Sequence, residues 1–247
     1  FSARVPTGVR SLEATADIKD IYANGLQHLI IEATEDCNLR CRYCTFSGNY
    51  LYQRGRSRQV MDPALARTAI AYFLSRAGRT EVPAVSFYGG EPLLRSGLIL
   101  ECCKWAKELS YPKTLRFQFT TNGTCLTDDV VQGLISLDAH VIVSVDGPEA
   151  DHDANRIMPS GAGSHRRILS NLRQMKERYP EYYATHVGVN CVVAPNSSPI
   201  RVAEFFEQER DLFSSGILLV GLVSLTGLKS PHGTGIELRP QWSEELG

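Results

Sequence analysis

Cys37, Cys41 and Cys44 stand in the run Asp36-Cys37-Asn38-Leu39-Arg40-Cys41-Arg42-Tyr43-Cys44-Thr45, a C-x3-C-x2-C spacing directly after the apolar run 28–34. Thiolate sulfur is soft and suits iron–sulfur chemistry, so three such ligands on one short loop can hold three irons of a four-iron cluster. No fourth cysteine is close in sequence, which leaves one iron open to another ligand, and chemistry is expected there. The spacing alone leaves zinc and purely structural cysteines open as well. Zinc ribbons and fingers, however, come as two cysteine pairs or a pair with histidines, and the nearest histidines, His28 and His140, offer no such pairing. A disulfide framework is not expected, because seven cysteines is an odd number and no secretory signal precedes them.

Other groups able to do chemistry lie further along the chain: Gly89-Gly90-Glu91, Thr121-Asn122-Gly123, Ser144 with Asp146, and Asn190. Paired glycines let a backbone approach a ligand closely, and a carboxylate beside a cationic amine adds charge-assisted bonds. The plain alternative is an ordinary strand-to-helix turn. Arg40, Arg42, Arg54, Arg56 and Arg58 crowd the segment after the first apolar run, either as a solvated face or as a binding surface. The formal net charge of −1 argues against a general nucleic-acid or membrane-surface binder. No apolar stretch approaches membrane-spanning length. The free cysteines suit a reducing cytoplasm.

These groups need a scaffold, and 247 residues with 43% hydrophobic content suffice for one large core or two small domains. Apolar runs alternate with amphipathic ones: strands at 28–34, 83–88, 114–120, 140–145, 185–193 and 216–224, and helices at 62–77, 95–109, 127–136, 164–178 and 199–211. Six β–α repeats, the last helix not reached, imply an α/β chain with a parallel sheet covered by helices. The near-continuous apolar strands suggest burial on both faces. Pattern does not choose between an open doubly wound sheet and a partial barrel. In either, the carboxyl ends of all strands share one edge, where ligands bind. The cysteine run, Gly89-Gly90-Glu91, Asn122, Ser144 and Asp146 all follow strands and should converge there.

With those pieces in place, the chain resembles the radical S-adenosylmethionine (SAM) enzymes over residues 28–225. Within them it is similar to the peptide- and protein-modifying branch that contains maturases of ribosomally made peptides and anaerobic sulfatase maturases. The matching pieces are Cys37-Asn38-Leu39-Arg40-Cys41-Arg42-Tyr43-Cys44, Tyr88-Gly89-Gly90-Glu91-Pro92, Thr121-Asn122-Gly123-Thr124, and Ser144-Val145-Asp146-Gly147-Pro148 with His152, Asp153 and Arg156. The resemblance implies a radical SAM (β/α)6 partial TIM barrel. It also implies a 4Fe-4S cluster on Cys37, Cys41 and Cys44, with SAM chelating the open iron. Gly89, Gly90 and Glu91 would meet the SAM methionine amino group, Ser144 the ribose, and Arg156 the carboxylate. Val192, or its neighbour Val193, and Tyr43 would lie near the adenine. Asn122 is expected either to touch the cofactor or to hold its own turn. The implied chemistry is reductive cleavage of SAM to a 5′-deoxyadenosyl radical that abstracts hydrogen from an unactivated carbon. The implied partners are a peptide or protein substrate and an electron donor such as flavodoxin or ferredoxin.

Relatives in this branch carry a cysteine-rich extension (SPASM) with auxiliary Fe-S clusters. Here no cysteine follows Cys191, so such clusters could belong only to a missing C-terminal part. The expected division is an extension over 1–27, a core over 28–225, and the start of a truncated C-terminal extension over 226–247. Tyr88 stands where sulfatase maturases tend to have glutamine. Thr45-Phe46-Ser47-Gly48-Asn49-Tyr50 stands where they tend to have paired aromatics. Both departures point toward a peptide maturase that installs a thioether or C–C cross-link. Phe46, Tyr88, Arg54, Arg56 and Arg58 are its candidate substrate residues, the arginines for an acidic leader; no catalytic residue is assignable beyond the cluster. Formylglycine formation, as in a sulfatase maturase, is the first alternative. A non-enzymatic iron–sulfur or zinc-binding regulatory domain is the opposed one.

Overall fold

Each apolar run becomes a strand and the amphipathic run after it a helix laid back over the sheet. The computed structural model describes residues 16–213 and 218–223. The strands are β1 (His28–Thr34), β2 (Ala84–Gly89), β3 (Arg116–Thr121), β4 (His140–Ser144), β5 (Val187–Val193) and β6 (Leu218–Leu222). The helices are α1 (Ala16–Asn24), α2 (Pro63–Ser75), α3 (Ser96–Ser110), α4 (Asp128–Ser136), α5 (Glu149–Asp153), α6 (His165–Arg178), α7 (Pro180–His186) and α8 (Pro199–Gln208). The expected 1–27 extension lies largely outside the described residues, and the expected 226–247 segment wholly so. No helix among the described residues is long and apolar enough to cross a membrane.

The strand order is β1-β2-β3-β4-β5-β6, every neighbour pair parallel. This settles the choice that the sequence pattern left open. A doubly wound sheet reverses its strand order at a switch point, whereas an unreversed order steps always the same way and keeps its helices on one face. The fold is therefore a six-stranded partial barrel.

The two faces of the sheet differ, contrary to the expectation of burial on both. Ile31, Ala33, Val85, Phe87, Phe117, Phe119, Val141, Val143, Val187 and Val189 alternate along the strands and pack into the core beneath the helices. Phe87 and Phe119 stack with ring centroids 5.3 Å apart across β2 and β3. The other face carries Ile30, Glu32, Tyr88, Thr120, Ser144, Asn190 and Val192, and Ile30 is 63% exposed. That face lines the barrel interior, so it holds polar side chains that a second packed layer would not tolerate.

Local chemistry sets the helix starts. Asp62 caps α2, its Oδ1 accepting the amides of Ala64 (2.8 Å) and Leu65 (3.0 Å), with Pro63 in the first turn. The Pro92–Arg95 segment forms a 3-10 turn before α3, and Pro180 opens α7, which takes residues 185 and 186 from the expected fifth strand. Proline fixes φ at a helical value and needs no hydrogen-bond acceptor there.

Candidate cofactor and substrate site

The carboxyl ends of the strands surround a cavity of about 330 Å³. Its lining includes Cys37, Cys41 and Cys44 from the loop after β1, Gly89, Gly90 and Glu91 from the end of β2, and Asn122 after β3. Ser144, Arg156 and Val192 close it from the β4 and β5 side. Tyr43, Phe46 and Tyr88 line it too, with Leu222 and Val223 at the end of β6, so distant pieces of the sequence meet at one place. Val193, the alternative to Val192, lies instead in a small core with Cys191 and Val202.

The cysteine loop is docked onto the sheet through the two glycines. Gly90 N–H donates to the Thr34 carbonyl and Glu91 N–H to the Asp36 carbonyl, both at 2.8 Å. Gly89 has φ +127°, and a Cβ on Gly90 would collide with the Asp36 carbonyl oxygen. Only glycine permits that approach. The loop is pinned on its other side by Arg40 N–H to the Ile157 carbonyl (2.7 Å) and Arg42 N–H to the Asn155 carbonyl (3.0 Å). We expect Gly90→Ala to lower reconstituted iron per chain by about half or more, because the strand end can no longer hold the loop. Iron content equal to wild type in a folded variant would sink that account.

Glu91 is 1% exposed, and both its oxygens are engaged. One accepts Thr121 Oγ1–H (2.6 Å) and Leu93 N–H (3.0 Å), the other Asn122 N–H (2.7 Å). Burial pushes its carboxyl up, and these three donors pull the other way. Glu91 thus ties the ends of β2 and β3 together at the rim. Asn122 holds its own turn and also reaches the cysteine loop. Its Oδ1 accepts Thr124 N–H (3.0 Å) to hold the turn, while its Nδ2 donates to Asn38 Oδ1 (2.9 Å) and points at Cys37 Sγ (3.8 Å).

Asp146, expected with Ser144 at the ligand-binding edge, is the hub of the far wall. It is 1% exposed. Its Oδ2 accepts the Tyr43 hydroxyl and Arg156 Nε–H (2.8 Å), and its Oδ1 accepts Val192 N–H (2.9 Å). Arg156 is therefore buried in an ion pair, with Nη1 4.0 Å from Cys41 Sγ and its guanidinium 5.4 Å from the Tyr43 ring. Behind it, His152 is fully buried and held well below the usual imidazole range by desolvation and by the charge of Arg156. The neutral ring accepts Asp146 N–H at Nδ1 (3.2 Å) and meets Ser164 Oγ at Nε2 (3.0 Å).

The soft thiol donors of Cys37, Cys41 and Cys44 on one cavity wall suit an iron–sulfur cluster. Burial raises Cys37 and pushes Cys41 up to about 12, the latter against the favourable charge of Arg156. Metal would have to displace those protons. Leu39 N–H at 3.4 Å from Cys37 Sγ, with Asn122 and Arg156, supplies donors to the sulfurs. Cys102, Cys103 and Cys191 are core residues; Cys125 is half-buried against Asn38 and Thr124.

The expected substrate residues separate. Phe46 and Tyr88 line the cavity. Arg54 lies over the Phe46 ring at 4.1 Å and is neutralised by Glu32 and Glu35, the latter at 3.5 Å. Arg56 and Arg58 are exposed and outside the lining.

Residues 31–208 match the family model described as the Radical SAM superfamily. Among curated relatives, the serine-type anaerobic sulfatase-maturating enzyme of Bacteroides thetaiotaomicron is 26% identical over 67% of this chain and 40% of its own. The cysteine-type enzyme of Clostridium novyi is 26% identical over 74% of this chain and 48% of its own. The chain thus spans less than half the length of these relatives. The solved structure of native anSMEcpe with bound AdoMet superposes with a TM-score of 0.68 at 21% identity, covering 80% of this chain and 52% of that one. A form of it with AdoMet and the Kp18Cys peptide gives 0.67.

Proposed function

The chain belongs to the radical SAM superfamily, and from that premise we propose that it is an enzyme acting on a residue of a ribosomally made peptide or protein. One observation carries this reading: three thiols, the Gly89-Gly90 turn, Ser144 and the Asp146-held Arg156 line a single cavity. Cys37, Cys41 and Cys44 would hold the 4Fe-4S cluster, with Arg156 and Asn122 offering donors to its sulfurs. When bound, the cluster and SAM supply a 5′-deoxyadenosyl radical able to abstract hydrogen from unactivated carbon.

The protein's part is to bind, orient and exclude water. Gly89 and Gly90 line the cavity where they hold the cysteine loop, and the SAM amino group is assigned there. Arg156 has Nε committed to Asp146, which leaves its other face to pair with the SAM carboxylate. Ser144 is assigned to the ribose, and Val192 and Tyr43 to the adenine. Asp146 fixes three of these at once. Phe46 and Tyr88 form an aromatic mouth against which a substrate side chain can pack.

Tyr88 and the Thr45–Tyr50 run support a cross-link, thioether or C–C, as the product. The relatives support formylglycine formation equally well. One anaerobic experiment addresses both. After reconstitution with iron and sulfide, about four irons per chain are expected, and dithionite with SAM should yield 5′-deoxyadenosine. Peptides rich in serine, cysteine and aromatic residues are then added. A hydrazide-reactive aldehyde in the product selects formylglycine, and a crosslink resistant to reductant selects the other. One zinc per chain and no nucleoside would overturn the proposal as a whole.

A further inference from the structure

The arginine-rich segment beside the cysteine loop splits in two. Arg54 is spent on Glu32 and Glu35 at the cavity mouth. Arg40, Arg56 and Arg58 pair with no carboxylate among the described residues. Arg40 Nη1 donates to the carbonyls of Cys37 (2.6 Å) and Leu39 (2.8 Å), and Arg56 Nη2 reaches the carbonyl of Cys41 (3.4 Å). Arg58 follows on the same strap, whose next carbonyl, Gln59, accepts Glu35 N–H at 2.9 Å and Thr34 Oγ1–H at 2.8 Å. The strap is thereby clamped to the base of the cysteine loop. None of these three arginines lines the cavity.

We propose that Arg40, Arg56 and Arg58 form a docking surface for an acidic one-electron carrier protein, seated on the outer side of the cysteine loop. The proposal rests on the iron–sulfur reading above. The charge argues for it: the whole chain carries a formal −1, so this unneutralised positive patch stands against the overall balance and would steer an acidic partner to one place. Position argues for it too. A peptide must bring its reacting residue into the cavity, and the arginine at that mouth is already neutralised. The unneutralised charge instead touches the main chain of Cys37 and Cys41, two of the three residues assigned to the cluster. One electron leaves the carrier and enters the cluster; no covalent bond is made or broken in that step.

The test compares wild type with the double variant Arg56→Gln, Arg58→Gln, both reconstituted, leaving Arg40 to support the loop. Binding of a flavodoxin is measured by fluorescence anisotropy over a salt series, beside the affinity for a peptide substrate. The expected result is flavodoxin affinity at least about ten-fold weaker in the variant at low salt, the gap closing as salt screens the charges. Peptide affinity and dithionite-driven 5′-deoxyadenosine stay at wild-type levels. Equal flavodoxin affinity in the two proteins, or no saturable binding by wild type, overturns the proposal. Loss of peptide affinity with flavodoxin binding intact overturns it in favour of an acidic-leader site. Failure of wild type to form nucleoside with dithionite marks instead a failure of the enzymatic reading.

Discussion

Cys41→Ala is expected to give a folded protein that holds little iron after reconstitution and forms no 5′-deoxyadenosine. The argument starts from how little else that side chain does. The loop backbone is held by the Arg40–Ile157 and Arg42–Asn155 amide–carbonyl bonds and by the Gly90–Thr34 and Glu91–Asp36 bonds, none of which uses Sγ. Deleting one sulfur from a half-buried site costs about 1 kcal/mol, small against a domain stability of about 5–15 kcal/mol. The cluster, by contrast, loses one of three anchors, and Arg156, 4.0 Å away, loses the thiolate it faces. Iron per chain, circular dichroism and nucleoside formation report the three parts separately. Cys103→Ala is the control: that thiol sits in the core of α3, so its removal leaves iron and nucleoside unchanged. A soluble Cys41→Ala protein that still turns over SAM would remove Cys41 from the ligand set.

The strands and main helices were legible because each is an apolar or amphipathic run long enough to show its period. The convergence of the cysteines, Gly89-Gly90-Glu91, Asn122 and Ser144 followed from one rule about strand ends in parallel sheets. What sequence could not supply was the strand order, because β–α alternation is identical in open sheets and partial barrels and the unreversed order decides. The polar inner face escaped notice because a single Ser, Gln or Thr within an apolar run does not break the strand pattern, as with Ser86, Gln118 and Thr120. The short helices α5 and α7 were missed for a related reason: five and seven residues show too little period. Arg54 could not be told from Arg56 and Arg58, since its partners Glu32 and Glu35 lie on the preceding strand and loop and meet it only in space.

Asp146 was placed at the ligand edge by the sequence but its partners were not, and it carries the second large expected effect. In Ser-Val-Asp-Gly-Pro an aspartate reads as turn chemistry, and its short-range neighbours support that reading. Its true partners, Tyr43 and Val192, are 103 and 46 residues away. Asp146→Ala would leave the Arg156 guanidinium buried and unpaired, a loss of about 3–5 kcal/mol that endangers folding. Asp146→Asn is the cleaner probe. The amide keeps the shape and one acceptor for Val192 N–H, but it offers Arg156 and Tyr43 a neutral, partly donating group in place of a carboxylate. Hydrogen bonds to charged groups contribute about 1.5–3 kcal/mol, so SAM affinity should fall about 10- to 100-fold as Arg156 and Tyr43 lose their common anchor. The main-chain bonds that hold the cysteine loop do not use that carboxylate, although the Tyr43 hydroxyl does, so iron content should fall far less than SAM affinity. Calorimetric titration of SAM into the reconstituted protein, with iron counted on the same sample, separates the two effects. An unchanged SAM affinity would mean that the far wall is held by its packing alone, and Asp146 would return to being a turn.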